Sequence, residues 1–204
     1  MNTSMSYTNY LLLVILFMAG CSSVKTQDAT PALPMDGKVA TAAPSAAELE
    51  IELYTQALRY ISQNQLDEAE SALRGITEKR PELAGPWANL GLIKIKQNQF
   101  DKAEEHLNKA LQRNPKLAQA YNLLGFIESK RTHISKAKDL YEKAIANKDD
   151  YALAHYNVAL IYDIYLRDIP KAVEHYKRYL ELTNFEDKRT ADWLKELSNI
   201  LSKG

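Results

Sequence analysis

The chain has 204 residues, and its 26 Lys+Arg balance 26 Asp+Glu, so the formal net charge is zero. That balance, with no dense Lys/Arg run, excludes nucleic acid as a partner, because phosphate binding needs a local excess of cations. A single cysteine, Cys21, excludes an intrachain disulfide and any multi-thiolate metal site.

Residues 1–20 carry no charged side chain, and Leu11–Met18 is an unbroken apolar run of eight. Eight residues suit the apolar core of a signal peptide, whereas a spanning helix needs roughly 20. Ala19 and Gly20 then lead into Cys21. The run Met18-Ala19-Gly20-Cys21 resembles the lipobox of bacterial lipoproteins; Met18 stands where that family usually has leucine, and the first ten residues lack Lys and Arg. The resemblance implies cleavage before Cys21 and acylation of its thiol and new amine, palmitate included. Several acyl chains anchor a protein stably where one does not. An uncleaved anchor or an ordinary secretory signal, leaving a secreted or periplasmic protein, is the other reading. Ser22 and Ser23 follow with no Asp beside Cys21, which by resemblance to enterobacterial lipoproteins implies the outer membrane, facing the periplasm. Residues 21–44 are rich in Ala, Ser, Thr and Pro without apolar periodicity. Such a segment cannot bury enough surface to offset ordering entropy and is predicted to be a disordered tether.

The folded part is predicted to start at Pro44-Ser45, with Ser45 and Glu48 at capping-box spacing. An internal repeat follows. Pro81 and Pro115 are 34 apart, as are Trp87 and Tyr121, Leu90 and Leu124, Gly91 and Gly125, and Ala69, Ala103 and Ala137 in turn. The next step is 35, from Tyr121 to Tyr156, Ala137 to Ala172 and Tyr141 to Tyr176. This assigns an inserted residue to the stretch Lys148–Tyr151. The pattern resembles the tetratricopeptide repeat, a helix-turn-helix unit whose period is specific to that architecture. The resemblance implies an all-α fold, a right-handed α-solenoid of about four repeats over 45–186 (about 50–83, 84–117, 118–152 and 153–186). Small residues at Gly91, Gly125 and the alanine series let paired helices approach, and Trp87, Tyr121 and Tyr156 are expected to fill the space between repeats. The fourth repeat has Ala159-Leu160 where Leu-Gly is expected, a departure usual in a terminal repeat. Residues 187–204 are predicted to form a capping helix, with Trp193, Leu194, Leu197, Ile200 and Leu201 on one face.

The resemblance places a partner-binding groove on the first helices of the repeats. Its positions are Tyr54, Leu58 and Ile61; then Leu92, Ile95 and Lys96; then Asn122, Phe126 and Lys130; then Asn157, Ile161, Ile164 and Tyr165. An apolar floor suits a hydrophobic strand or the apolar face of a helix. The Asn122 and Asn157 amides, with donor and acceptor each, are expected to fix a peptide backbone. Leu92, Phe126 and Ile161 read equally as core or as groove, since periodicity alone does not separate the two faces. The carboxylate clamp of the chaperone-tail binders is set aside: Tyr54 and Leu58 stand where it needs Lys and Asn, and Asn89 alone matches.

No catalytic constellation is legible. The seven glycines are scattered, so no phosphate-cradling loop is formed. His106 and His175 are expected to face solvent, His133 lies in a turn, and His155 has no evident catalytic partner. The expected protein is therefore non-enzymatic, with no cofactor, metal or small-molecule substrate. Its expected partner is a protein or peptide of the cell envelope, with the membrane reached through the lipid anchor. It would assist assembly of an envelope complex, of the pilus/secretin or TonB-type transport kind, or serve as an adaptor for cell-wall hydrolases in peptidoglycan maintenance.

Overall fold

The computed structural model describes residues 45–202. The expected signal peptide at 1–20, the acylated Cys21, the tether at 21–44 and the Glu48 side chain lie outside the described residues. Four helical hairpins follow one another: α1 (Ala46–Ser62) with α2 (Leu66–Lys79), α3 (Ala84–Lys96) with α4 (Phe100–Arg113), α5 (Ala118–Lys130) with α6 (Ile134–Asn147), and α7 (Ala152–Leu160) with α8 (Ile169–Leu182). One more described helix, α9 (Lys188–Leu201), follows. The described residues are all-α, in the tetratricopeptide arrangement that the period implies.

Each hairpin turns on one residue of left-handed backbone: Asn64, Asn98, Thr132 and Arg167, with φ between 55° and 62°. Asn tolerates that conformation better than most residues. In the first three hairpins an amide bonds the carbonyl five residues back: Gln65 to Tyr60, Gln99 to Lys94 and His133 to Glu128, at 2.8–2.9 Å. In the fourth, Asp168 N–H bonds the carbonyl of Tyr162, six residues back, at 2.9 Å. The additional residue is held in a π-helical turn, Ile161–Leu166, that continues α7.

The site of the insertion therefore differs from the one assigned to Lys148–Tyr151. Ala84, Ala118 and Ala152 open the first helices of repeats 2, 3 and 4 at an unbroken spacing of 34. The loops before α5 and α7 match too, with Leu117 N–H to Asn114 O and Tyr151 N–H to Lys148 O at 3.1 and 3.2 Å. A helix that gains a residue without moving its ends must widen one turn, which is what a π-turn does. Val158-Ala159, not Ala159-Leu160, then corresponds to Leu90-Gly91 and Leu124-Gly125.

Within the hairpins, Ala69, Ala103, Ala137 and Ala172 are fully buried, with Leu73, Leu107, Tyr141 and Tyr176 four residues after each of them. Gly91 and Gly125 mark close approach: a Cβ there would lie 2.7 Å from Leu107 and from Tyr141 respectively. Between hairpins, α3 touches α5 and α5 touches α7, with no comparable contact among the described second helices. A two-layer stack whose first helices meet while its second helices stay apart is curved, with the first-helix layer inside.

Helix α9 packs on α8 as one more first helix. Asp187 caps it, accepting from Thr190 N–H at 3.1 Å and Thr190 Oγ1 at 2.7 Å. Of the expected apolar face, Leu197 is buried and Leu194 half-buried, while Trp193, Ile200 and Leu201 remain exposed. Lys195 stands where Gly91, Gly125 and Ala159 admit a second helix.

Candidate partner-binding groove

The aromatic positions between repeats obey the 34-residue register. Trp87 Nε1 donates to the Pro81 carbonyl and Tyr121 OH to the Pro115 carbonyl, both at 3.0 Å. In repeat 4 the equivalent residue is His155, whose Nε2 lies 2.9 Å from the Asp149 carbonyl. Tyr156, expected there, instead packs against Tyr176 and Tyr179, with ring centroids 5.9 and 4.9 Å away. The carbonyl requires a proton on His155 Nε2, so His155 Nδ1 accepts the 3.0 Å bond from His175 Nδ1–H. The centroids are only 5.2 Å apart, so the nitrogens point at each other as in a hydrogen bond.

His106 is buried rather than solvent-facing. It stacks on Trp87, centroids 5.8 Å apart, and its Nδ1 has no hydrogen-bond partner. Burial, and then the nearby Lys109 charge, hold its imidazolium pKa below the usual range. His175 is half-buried, and burial followed by His155 lowers its pKa as well.

The groove positions divide into three groups. The first is a set of internally paired polar groups. Asn89 Nδ2 donates to Tyr54 OH at 2.7 Å while Gln119 Nε2 donates to Asn89 Oδ1 at 3.1 Å. Asn157 Nδ2 donates to Asn122 Oδ1 at 2.9 Å, with both residues buried. Tyr54–Asn89 and Asn122–Asn157 are the same junction two repeats apart. The asparagines are thus not aligned with one another as expected: Asn157 matches Asn89, and Asn122 matches Tyr54. Their bonded amides hold repeats together and are not free groove groups.

The second group is core. Ile95 and Ile161 are each 3% exposed and lie in the hydrophobic clusters between helices. The expectation of Ile161 in the groove rests on an insertion before α7, which the structure does not have. With the insertion after Leu160, it is Leu160 that corresponds to Leu92 and Phe126. Counting 34 from Ala118 to Ala152 would have found it.

The third group remains on the inner surface. Leu58, Tyr165 and Lys130 are exposed; Ile61, Leu92, Lys96, Ile164 and Leu160 are half-buried. Phe126 sits in the core cluster with one face under Lys130, whose Nζ is 5.4 Å from the ring centroid.

One register position of the first helices carries buried charge in succession. Lys94 bonds Glu70 of the previous hairpin at 2.5 Å. Glu128, 2% exposed, meets His133 at 2.7 Å and Lys136 at 2.8 Å. Burial pushes the Glu128 carboxyl up, but Lys136, His133 and Arg131 outweigh it and hold the pKa below the usual range. Asp163, in the π-turn, accepts from Trp193 Nε1 at 2.8 Å and Tyr176 OH at 3.3 Å. These charges are satisfied inside the stack and are unavailable to a ligand. Among the described residues no three His, Cys, Asp or Glu side chains converge as a metal site, and no helix is long and apolar enough to cross a membrane.

A family model described as the C-terminal ARM domain of tetratricopeptide repeat protein 21 matches residues 36–180. No curated protein matches the sequence. Among solved structures, Pseudomonas aeruginosa pilF is similar with a TM-score of 0.66 and 19% identity, over 77% of this chain and 71% of that one. MamA is similar at 0.52 and 20%, over 72% and 97%. The first tetratricopeptide domain of Spaghetti (RPAP3), bound to the HSP90 peptide SRMEEVD, is similar at 0.52 and 19%, over 58% and 93%. At these identities the structures speak for the fold.

Proposed function

This chain belongs to the tetratricopeptide-type family of that model, and from that premise we propose that it is a non-enzymatic scaffold that holds a segment of another protein against its first-helix layer. One observation carries the reading. The large apolar side chains that stay exposed are Leu49, Ile51, Leu53 and Leu58 on α1, Tyr165 and Leu166 on the π-turn, Phe185 before α9, and Trp193, Ile200 and Leu201 on α9. Among the described residues none is on α2, α4, α6 or α8. None is on α3 or α5 either, so this surface lies toward the two ends of the first-helix layer, with half-buried Leu92 and Leu160 between; exposed apolar surface of this kind marks an interaction surface. The similar RPAP3 domain, whose solved structure holds a peptide, supports the same use of the fold.

The setting we propose is the bacterial envelope: an outer-membrane lipoprotein, facing the periplasm and acylated at Cys21, that assists assembly of a pilus/secretin or TonB-type complex. The support is the apolar run Leu11–Met18 ending at Ala19-Gly20-Cys21. The test is crosslinking and affinity capture from membranes, with Cys21→Ser as control. Wild type should fractionate with the membrane and enrich a defined envelope protein, and Cys21→Ser should be released. Membrane retention of Cys21→Ser sinks the anchor. Absence of any protein enriched above the control sinks the anchored scaffold.

A further inference from the structure

The two layers differ in their charge. The second helices are dense in ions of both signs, as in α4, with Asp101, Lys102, Glu104, Glu105, Lys109 and Arg113. The first helices of repeats 2 to 4 contain five charged side chains in all, and three of them, Lys94, Glu128 and Asp163, are the buried ones already bonded within the stack. The two that remain accessible are Lys96 and Lys130, at the same register position 34 residues apart. Between them lie Leu92 and Phe126, with Leu160 and Tyr165 beyond. No carboxylate is accessible on these three helices. On these three helices the accessible charge is thus purely cationic, although the chain as a whole has zero net charge.

We propose that the occupant of this groove is an acidic amphipathic helix, an internal segment of the partner protein that sets two carboxylates on Lys96 and Lys130 and its apolar face on Leu92, Phe126, Leu160 and Tyr165. The inference rests on the groove reading above and adds the partner's chemistry to it. Among the described residues no carboxylate holds either lysine; Lys130 lies over the Phe126 ring, and a cation spread on an aromatic face stays available to an anion. Helices α3 and α5 are in contact, and packed helices lie about 8–10 Å apart. Carboxylates separated by seven residues on one face of a helix rise about 10.5 Å, so one ligand helix spans both lysines. Such a ligand needs no free C-terminus, unlike a tail held by a carboxylate clamp. Complementary charge of this kind selects the partner and its register more than it adds affinity.

The test uses the full chain and two fluorescein-labelled synthetic helical peptides, both amidated at the C-terminus. They share a leucine face and differ in carrying Glu or Lys at the two positions seven residues apart. The Glu peptide is expected to bind about tenfold more tightly than the Lys peptide at low salt, with the preference shrinking as salt screens it. Lys96→Glu with Lys130→Glu should invert the preference while the chain stays folded, with a modest fall in melting temperature from the lost Lys130–Phe126 contact and from anions placed at two helix C-termini. Equal binding of both peptides, or a preference that the double variant does not invert, overturns the acidic helix and leaves the groove reading standing. Binding of neither peptide overturns both.

Discussion

Gly125 and Gly75 offer a clean separation of packing from backbone. Both are helical, and neither has positive φ, so conformational freedom is not the reason for either. Replacing a mid-helix glycine with alanine gains about 0.5–1 kcal/mol from the backbone alone. At Gly75 a Cβ would meet nothing within 4 Å, so Gly75→Ala keeps that gain. At Gly125 the Cβ would lie 2.7, 2.8 and 3.2 Å from Cε1, Cδ1 and Cγ of Tyr141. That ring is 2% exposed and lies in a core cluster with Ala137, Val158 and Tyr176, so overpacking of about 1–3 kcal/mol opposes the gain. Gly125→Ala should therefore lie about 1–3 kcal/mol below Gly75→Ala. At about 2–4 °C per kcal/mol for a domain of this size, that separates their melting temperatures by about 2–12 °C. Thermal unfolding by circular dichroism reads it directly. Repeat 4 does carry Ala159 before Tyr176, but there the π-turn reshapes the first helix and Asp163 anchors the tyrosine hydroxyl. If both alanine variants gain stability equally, the close approach of α5 and α6 is not what demands glycine, and the reasoning fails.

Three further outcomes follow from the same contacts. Burial lowers the pKa of His106 and His175 in the folded chain, so the unfolded chain binds more protons just below about pH 6.5. Their contribution is complete above that pH and is lost as pH falls below it. Melting between pH 7.5 and 5.5 should show the loss, and His106→Leu, which copies Leu140 at the equivalent place, should shrink it; an unchanged slope would refute the assignment. Asn157→Leu removes the donor to Asn122 and should cost about 1–3 kcal/mol of unfolding free energy by denaturant titration, with partner affinity unchanged; the reverse pattern would return the asparagines to the groove. Trp193→Phe removes the bond to Asp163 and should speed amide hydrogen exchange in α9 before any other helix; uniform exchange would mean that Leu197 alone docks it.

The fold was legible because a helix-turn-helix repeat writes its packing into single positions. Gly91 and Gly125 face Leu107 and Tyr141 in space as the 34-residue spacing says they should. The groove was less legible, for two physical reasons. Apolar residues on a first helix serve either the core or the inner surface, and only solvent exposure separates Ile95 from Leu92. Amides on that helix bond each other across repeats, and a sequence does not show that Asn122 and Asn157 have already satisfied one another. The burial of His106 is hidden for a related reason: beside Trp87 an imidazole serves as a flat ring, while its polarity suggests solvent.

The additional residue of repeat 4 is the feature least legible in the sequence. Tyr121 to Tyr156, Ala137 to Ala172 and Tyr141 to Tyr176 all step by 35, which confines an insertion to the chain before Ala172 but does not locate it. Loops tolerate insertions at little cost, so the loop is the natural place to assign one. The contacts decide otherwise: His155 repeats the carbonyl contact of Trp87 and Tyr121 at a spacing of 34, and Asp168 reaches one residue further back than its three counterparts. Tyr156 happens to mimic the expected aromatic one place later. The additional residue lies inside a helix, where it costs regular hydrogen bonding, yet it has a use. Within the π-turn, Asp163 resumes the register of Lys94 and Glu128 and receives Trp193 and Tyr176, tying α9 to the stack, while Tyr165 and Leu166 stay on the open surface. An insertion in the loop would have shifted the whole of α7. Placed after Leu160, it leaves the inner surface of repeats 2 to 4 in register and changes only the end of it.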